Sequence, residues 1–168
     1  NVLLLYEAAV TGGIPIIKSI KNSIYLDKIN KISGILNGTT NFILTEMEKF
    51  NLNFHDVLKK AQSNGYAEAD PTNDIEGIDS AHKLTLLSTL CFGSEINFNN
   101  NKFSGIKNIH IEDIHNAKKL GYRIKLISES QIIKGKIINV TEPRMIKITN
   151  PLAKVDGVIN AINIETDH

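Results

Sequence analysis

The sequence has 168 residues, 42% of them hydrophobic and 22% charged, which is typical of a globular protein that folds around one core. Its 19 basic and 18 acidic side chains nearly cancel, so no strong electrostatic field favours nucleic acid or an anionic membrane as a partner. No apolar run approaches the ~20 residues that span a bilayer and no signal segment opens the chain, so we expect a cytoplasmic enzyme or binding domain.

The chain opens with a predicted strand, turn and helix. Residues 2–5 are apolar and favour a strand, and Gly12 followed by Gly13 predicts a turn. Isoleucines at helical spacing then predict an amphipathic helix, and Pro15 suits its first turn. These isoleucines are Ile14, Ile17, Ile20 and Ile24.

A second unit repeats this order. Residues 28–36 predict a strand, which an asparagine–glycine turn joins to a helix over residues 39–50. The hydroxyl of Thr39 or Thr40 is expected to cap that helix.

Two more helices follow. Residues 53–65 predict an amphipathic helix capped by Asn53. After a polar loop, a long helix is predicted from Asp74 to Gly93, where a glycine ends the apolar spacing. The single cysteine of the chain, Cys91, lies in this helix and is expected to be a small buried hydrophobe.

The second half of the sequence favours strands. A loop at residues 94–105 and a short helix at 112–121 precede three strand candidates, at 122–130, 136–146 and 157–165. Helices early and antiparallel-looking strands late predict one α+β domain over the whole chain, with a mixed sheet of about five to seven strands and helices packed on one face.

Residues 65–83 hold the densest polar pattern, GYAEADPTNDIEGIDSAHK. Acids near a helix start complement its positive end, which explains Asp70 and Glu76. Asp79 and Lys83 are four apart and share one helix face. On spacing alone, such a pair is favoured to be a solvated surface contact contributing roughly 0 to 1 kcal/mol.

The apolar neighbours of this pair favour a second interpretation. A lysine at the edge of a buried face, beside a carboxylate, is suited to hold a substrate oxygen and to supply a proton to it. The carboxylate of Asp79, joined by Glu68 from the preceding loop, is suited to bind a substrate ammonium group. The spacing alone leaves the substrate open.

Signatures of other chemistries are absent from the sequence. There is no HxxxH or CxxC pair, no nucleophile elbow and no P-loop. A GxGxxG fingerprint is also missing, so the sequence carries no recognisable nucleotide site of its own.

Five segments, in order, resemble the homoserine dehydrogenase family over nearly the whole chain, and the third is the most specific. They are YEAAVTGGIPII (6–17), GILNGTTNFIL (34–44), GYAEADPTNDIEGIDSAHKL (65–84), LGYRIKLI (120–127) and PLAKVDGVINAI (151–162).

The resemblance implies NAD(P)H-dependent reduction of L-aspartate 4-semialdehyde to L-homoserine, on the route to threonine and methionine. By motif position, Lys83 is similar to the family's proton-donating lysine. Glu68 and Asp79 match the acids that hold the substrate's amino group, and Asp74 is expected to support them from behind. Gly65 matches a backbone position beside the cofactor.

The first segment is similar to the family's site for a monovalent cation, expected to be Na⁺. Glu7, through its carboxylate or its backbone, would combine with the carbonyls of Val10, Gly12 and Ile14. Main-chain oxygens suit a hard cation, and the glycines let the chain curl around it.

Both ends of the sequence lie within strand-like runs, so we expect a piece of a larger protein. The resemblance implies a preceding Rossmann domain with the nucleotide site, and the 168-residue chain alone is then expected not to turn over substrate. The family also implies a homodimer formed through the face of the sheet away from the helices, and isoleucines on both faces of the strand candidates suit a sheet covered on both sides.

Three alternatives stay open at this point. The chain could be a non-catalytic dimerisation module, although the retained Lys83, Glu68 and Asp79 argue against lost chemistry. It could be part of a bifunctional aspartokinase and homoserine dehydrogenase. An unrelated amino-acid-binding domain would require all five segments to match by coincidence.

Overall fold

The computed structural model describes residues 6–22 and 28–167, so the strand predicted at residues 2–5 and the last helical isoleucine, Ile24, lie outside the described residues. The helices are α1 (Ala8–Thr11), α2 (Ile16–Asn22), α3 (Gly38–Phe50), α4 (Phe54–Ser63), α5 (Thr72–Ile75), α6 (Ile78–Phe92) and α7 (Ile111–Lys119). The strands are β1 (Ile29–Ile35), β2 (Lys102–Phe103), β3 (Tyr122–Ile133), β4 (Lys136–Lys147) and β5 (Ala161–Thr166). Two 3₁₀ turns lie at Phe98–Asn100 and Pro151–Lys154.

Within the described ranges, the five strands form one sheet in the order β2-β4-β3-β1-β5. All neighbouring strands are antiparallel except β2 and β4, which are parallel. The prediction of an α+β fold with a mixed sheet is therefore confirmed. The two-residue strand β2 was predicted as loop, because so short a strand has no alternation to detect.

The helices cover one face of the sheet through alternate residues of its strands. Ile124 and Leu126 of β3 belong to a buried cluster with side chains of α3, α4 and α7. Leu84 and Leu87 of α6 belong to a second cluster with α2 and β1. Complete burial of such a side chain stabilises the fold by about 1.5–3 kcal/mol, so these contacts fix which side of α6 faces the sheet.

Hydrogen bonds add to this anchoring of α6. The hydroxyl of Ser88 lies 2.7 Å from that of Ser130 on β3 and donates to Asn139 of β4 at 3.0 Å. All three side chains are buried. This contact fixes the position of the last turns of α6, and therefore also the direction of the helix axis and the position of its first turn.

The face of the sheet away from the helices is more polar than the isoleucine pattern predicted. Ile35 and Ile127 pack there under Leu152 of the second 3₁₀ turn. The rest of this face is crossed by ion pairs, in which Glu129 lies 3.0 Å from Lys31 and 3.0 Å from Arg144. The prediction counted apolar residues, whereas charges paired across neighbouring strands occupy the centre.

The long helix predicted from Asp74 is broken. Asp74 lies in α5, and Gly77, with φ of +81°, separates α5 from α6. A left-handed residue interrupts the helix even though the apolar spacing continues on both sides of it, which explains the error. The backbone N–H of Ile106 donates to the carbonyl of Ile75 at 2.8 Å and supports the break.

The N-terminus of α3 also differs from the prediction. The helix begins at Gly38, and Asn37 caps it, because its Oδ1 accepts a hydrogen bond from the backbone N–H of Thr40 at 2.8 Å. The hydroxyl of Thr39 donates instead to the carbonyl of Tyr66 at 2.6 Å. The predicted cap of α4 is confirmed, since Asn53 accepts from the backbone of Asp56.

Cys91 is partly rather than fully buried, at the edge of the cluster that contains Leu84. Burial raises the pKa of its thiol to about 12, which keeps it protonated and unreactive near neutral pH. Among the helices of residues 6–22 and 28–167, none combines the length and the hydrophobicity that a membrane span requires.

Candidate functional site

Two adjoining cavities form a cleft between the start of α3, the loop that follows α4, and the α5–α6 break. Their volumes are about 360 and 400 Å³, and Gly65, Tyr66, Asp74 and Asp79 line both of them. Glu68 lines the first cavity and Lys83 the second. The fold therefore brings the predicted substrate, proton-transfer and cofactor residues of the 65–83 segment to one place.

Lys83 is held at its ammonium group by two oxygens. Its Nζ lies 2.8 Å from Oδ2 of Asp79 and donates to the carbonyl of Leu36, at the end of β1, at 3.2 Å. The side chain of Lys83 is 22% exposed and that of Asp79 31%, so this is not the freely solvated pair that spacing alone favoured. The contact with Leu36 ties the pair to the sheet, and the ammonium lies at the edge of the cleft.

Asn37 joins the two acids of the site, and the sequence did not single it out. Its Nδ2 donates to Oδ1 of Asp74 at 2.7 Å and to Oδ2 of Asp79 at 2.9 Å. The cap contact with Thr40 fixes the amide orientation, because Oδ1 faces the helix and both N–H donors face the carboxylates. Asn37 is 5% exposed, so this bridge is part of the buried framework.

The broken helix creates this arrangement. Asp74 lies before the left-handed Gly77 and Asp79 after it, so their side chains converge on one amide instead of following each other around one continuous helix. The signal for Asn37 in the sequence was its place before a helix start, which predicts a cap but gives no indication of partners about 40 residues away.

Glu68 and Gly65 form the more open side of the cleft. Both are exposed, and Gly65 has φ of +74° at the turn that ends α4. The loop is held at its backbone, since the side chain of Gln62 donates to the carbonyls of Glu68 and Ala69 at 3.0 and 3.3 Å. The Glu68 side chain therefore lies on a fixed backbone and stays accessible from solvent.

Thr39, Tyr66 and Val158 are among the lining residues that were not predicted as part of the site. Thr39 and Tyr66 are linked by a hydrogen bond, and Val158 comes from the segment before β5. Tyr66 also packs against Phe42, with ring centroids 4.9 Å apart. These contacts join the 65–83 segment to α3, and no motif within one segment reveals them.

Asp70 and Glu76, which were predicted to complement a helix dipole, form hydrogen bonds and an ion pair with neighbouring side chains and backbone. Asp70 accepts hydrogen bonds from the backbone and the hydroxyl of Thr72, and these bonds lower the pKa of its carboxyl. Glu76 lies 3.3 Å from the ammonium of Lys107 in a solvated ion pair. Asp70 lines the first cavity, whereas Glu76 lines neither cavity.

The predicted cation ligands lie in α1 and the turn to α2. Both carboxylate oxygens of Glu7 accept hydrogen bonds from backbone N–H groups at the start of α2, from Ile17 at 2.7 Å and from Lys18 at 3.2 Å. The carboxylate of Glu7 is therefore used at the start of α2. Its main-chain carbonyl accepts from the backbone N–H of Val10 at 3.1 Å, and the carbonyl of Ile14 accepts from Thr11 and Ile16.

Taken together, the fold and the cleft define an α+β domain with a carboxylate-rich pocket and one anchored lysine, which is typical of an enzyme domain. A family model described as homoserine dehydrogenase matches residues 15–168. The chain belongs to the homoserine dehydrogenase family.

Individual relatives agree with this assignment. The homoserine dehydrogenase of Neisseria gonorrhoeae is 48% identical over 168 residues, which cover 99% of this chain and 38% of that protein. The crystal structure of a homoserine dehydrogenase from Thiobacillus denitrificans matches with a TM-score of 0.94 and 47% identity, over 96% of this chain and 38% of that one. A mutant hyperthermophilic archaeal homoserine dehydrogenase, in complex with NADPH, matches with a TM-score of 0.80 and 31% identity, over 97% of this chain and 46% of that one. The chain thus spans less than half the length of these relatives.

Proposed function

We propose that the chain supplies the substrate-binding and proton-transfer part of a cytoplasmic homoserine dehydrogenase, which reduces L-aspartate 4-semialdehyde to L-homoserine for the synthesis of threonine and methionine. The observation that carries this proposal is the ammonium of Lys83, held at the edge of the cleft by Asp79 and the carbonyl of Leu36. Family membership supports the reaction class, and the geometry supports the roles of the residues.

Lys83 is the proton donor to the substrate's aldehyde oxygen. Bound NAD(P)H supplies a hydride to the aldehyde carbon, and the oxygen must gain a proton to become the hydroxyl of homoserine. An ammonium group has three N–H donors, of which Asp79 and Leu36 occupy two, so one donor is left for the oxygen. Oxidation of homoserine returns the proton to the same nitrogen.

Carboxylates of the cleft bind the substrate's ammonium group. Glu68, Asp70, Asp74 and Asp79 all line the first cavity, and no Lys or Arg does, so the local charge favours a cation. We assign the direct contacts to Glu68 and Asp79. Asp74 acts indirectly: the amide of Asn37 donates to both carboxylates, so Asp74 helps to orient Asp79.

Nucleotide binding belongs mainly to a separate Rossmann domain, with Gly65 as the point of the present chain that lies beside the cofactor. The exposed turn at Gly65 lines both cavities, which supports this placement. The sequence has no glycine fingerprint, so the 168-residue chain alone is expected to lack turnover.

A monovalent cation, expected to be Na⁺, is held by the main-chain carbonyls of Glu7, Val10, Gly12 and Ile14. The use of the Glu7 carboxylate as a helix cap supports a ligand set of neutral oxygens, which suits a hard ion of single charge. The cation would stabilise the turn between α1 and α2.

A second copy of the chain is the partner of the polar sheet face. Lys31, Glu129 and Arg144 alternate in sign across β1, β3 and β4, and further ion pairs join Glu165 of β5 to Lys31 and Glu142 of β4 to Arg144. A surface that carries both signs can complement itself across a twofold axis. A cavity of about 370 Å³ on the same face adds room for side chains of the partner.

The proposed reaction is tested on the full-length protein by nicotinamide absorbance, with homoserine and NAD(P)⁺. Lys83→Ala is expected to lower kcat by about 100-fold or more, the usual contribution of a positioned proton-transfer group, with little change in nucleotide affinity. The matched control is Lys119→Ala, at an exposed position of α7 outside the cleft. Near-normal turnover by Lys83→Ala would contradict the assignment of Lys83 as the proton donor. A wild type that does not oxidise homoserine would contradict the proposed reaction.

A further inference from the structure

The segment 155–159 forms a turn that lies against the first turns of α3. The side-chain amide of Asn41 donates to the carbonyls of Val155 and Ile159 at 3.1 and 3.3 Å and so ties both ends of the turn together. The backbone N–H of Gly157 donates to the hydroxyl of Thr45 at 3.3 Å. Side chains one turn apart on α3 therefore hold the turn at three points.

The buried ammonium of Lys125 completes this attachment from the sheet. Its Nζ donates to Oδ1 of Asn41 at 2.9 Å and to the carbonyl of Val155 at 2.5 Å, and it lies 3.4 Å from Oδ1 of Asp156. These three oxygens account for the three donors of the ammonium. The contact with Asn41 also fixes the orientation of that amide, whose nitrogen then faces the turn.

Val158 carries the turn into the candidate cleft. It lines the second cavity together with Asn37 and Lys83. The turn fits closely against α3, because a Cβ atom on Gly38 would lie 2.6 Å from the carbonyl oxygen of Val158. A shift of the turn therefore changes the wall of the cavity that Lys83 also lines.

A structural role in the core does not explain a lysine at this position. Lys125 is 1% exposed, and the one carboxylate that pairs with it among the described residues, Asp156, is half exposed and shared with Arg123. Burial of an ammonium with one shared counterion costs free energy that an apolar side chain would avoid. The lysine instead supplies donors that an apolar side chain lacks.

We propose that Lys125 is a positioning residue for the cleft: with Asn41 it fixes the turn 155–159 and so sets the place of Val158 in the wall of the cavity that Lys83 also lines. This inference rests on the proposed function, because its effect is measured on the bound amino-acid substrate. Lys125 makes no contact with the cavities, and it acts only through the turn.

The test uses the full-length protein with Lys125→Met, which keeps an unbranched side chain one atom shorter than lysine and removes its donors. We expect the KM for homoserine to rise about tenfold, since small displacements of a binding wall weaken substrate orientation, while the dissociation constant of NADPH stays within about twofold. The assay is run well below the melting temperature of the variant, so that a loss of folded protein does not enter the KM. The control is Lys118→Met on the exposed face of α7.

A second variant keeps the inference testable if Lys125→Met does not fold. Asp156→Asn alters a half-exposed side chain, leaves the core intact and weakens the same attachment, so we expect a KM increase of about threefold. A folded variant of either kind with an unchanged KM overturns the inference. A wild-type enzyme that does not oxidise homoserine overturns the proposed function instead, so the two failures are distinct.

Discussion

Lys83 and Asn37 donate to the same atom, Oδ2 of Asp79, at 2.8 and 2.9 Å. One carboxylate oxygen therefore orients the proposed proton donor and receives the amide that also holds Asp74. In the proposed function, the other oxygen of Asp79 would contact the substrate. Because these groups share partners, their substitutions are expected to give different kinetic signatures and not to be additive.

Removal of charge from the substrate-binding acids should mainly weaken binding. Glu68→Gln and Asp79→Asn each retain shape and lose the negative charge that attracts the substrate's ammonium. We expect the KM for homoserine to rise about tenfold or more in each, with a smaller fall in kcat for Glu68→Gln than for Asp79→Asn, because only Asp79 touches Lys83. Steady-state kinetics of the full-length enzyme measure both. An unaltered KM in Glu68→Gln would show that Glu68 lies outside the binding contact.

The Asn37 bridge is separable from the Asn37 cap. Asn37→Asp retains the acceptor for the N–H of Thr40 but replaces the two donors with a third carboxylate beside Asp74 and Asp79. We expect a kcat/KM lower by about 100-fold and a modest loss of stability, because like charges at this distance repel. Asn37→Ser keeps a cap, adds no charge and also lacks the two amide donors, so it separates the loss of the bridge from charge repulsion. We expect its activity to lie between those of the wild type and Asn37→Asp, and wild-type activity in Asn37→Ser would contradict a role for the bridge in ordering the acids.

The stability of the domain should depend on the ionisation of Lys125. Burial, reinforced by Arg123 and opposed by Asp156 and Glu48, lowers the pKa of Lys125 to about 8 from 10.5. Between these values the unfolded chain binds more protons than the folded one, so the free energy of unfolding rises with pH by up to about 3 kcal/mol from this group. Below pH 8 both states are protonated and the contribution is constant.

Urea unfolding of the 168-residue chain at about pH 7 and about pH 10 measures this effect as a difference between wild type and Lys125→Met, so that other titrating groups cancel. We expect the free energy of unfolding of the wild type, relative to that of Lys125→Met, to be larger at about pH 10 than at about pH 7. A difference that falls with rising pH would contradict the assigned direction of the pKa.

The 168-residue chain should bind substrate weakly and turn nothing over by itself. No NADPH oxidation is expected with aspartate semialdehyde, because no pyrophosphate-binding loop is encoded in these residues. The full-length protein, assayed at the same molar concentration, is the positive control. Detectable oxidation by the purified chain would refute the assignment of nucleotide binding to another domain.

The polar sheet face should control the oligomeric state. Ile138 of β4 is exposed and neighbours Gln131 of β3 on the face away from the helices. Ile138→Asp is expected to convert a dimer of the full-length protein to a monomer, as sedimentation velocity measures. Leu120→Asp, at an exposed apolar position after α7, is the control and should leave the dimer intact. A wild type that sediments as a monomer at high concentration would rule out this interface.

Sequence patterns predicted those parts of the fold that depend on near neighbours. The amphipathic helix α4, with Asn53 as its cap, follows from spacing and turn chemistry, and so do the long strands β3 and β4. The break at Gly77 escaped prediction because the apolar spacing continues through it. The break is supported by a long-range hydrogen bond, from the backbone N–H of Ile106 to the carbonyl of Ile75.

The candidate site divides in the same way. Lys83, Asp79, Glu68 and Asp74 lie within one short segment, and family resemblance drew attention to them, although spacing alone favoured a surface ion pair. Asn37 and Val158 come from other parts of the chain. Their contacts depend on how β1, α3 and the turn before β5 meet, and local periodicity carries no information on such long-range packing.

The segment 104–106 links the sheet to the α5–α6 break. Ser104 donates to the carbonyl of Thr141 on β4, and Ile106 donates to that of Ile75, both at 2.8 Å. Transplanting residues 65–83 into another scaffold would therefore carry over the acids and the lysine without the geometry that joins them. A designer who wishes to move this site must graft three separated pieces of backbone as one unit: the start of α3, the segment 65–83 and the segment 104–106.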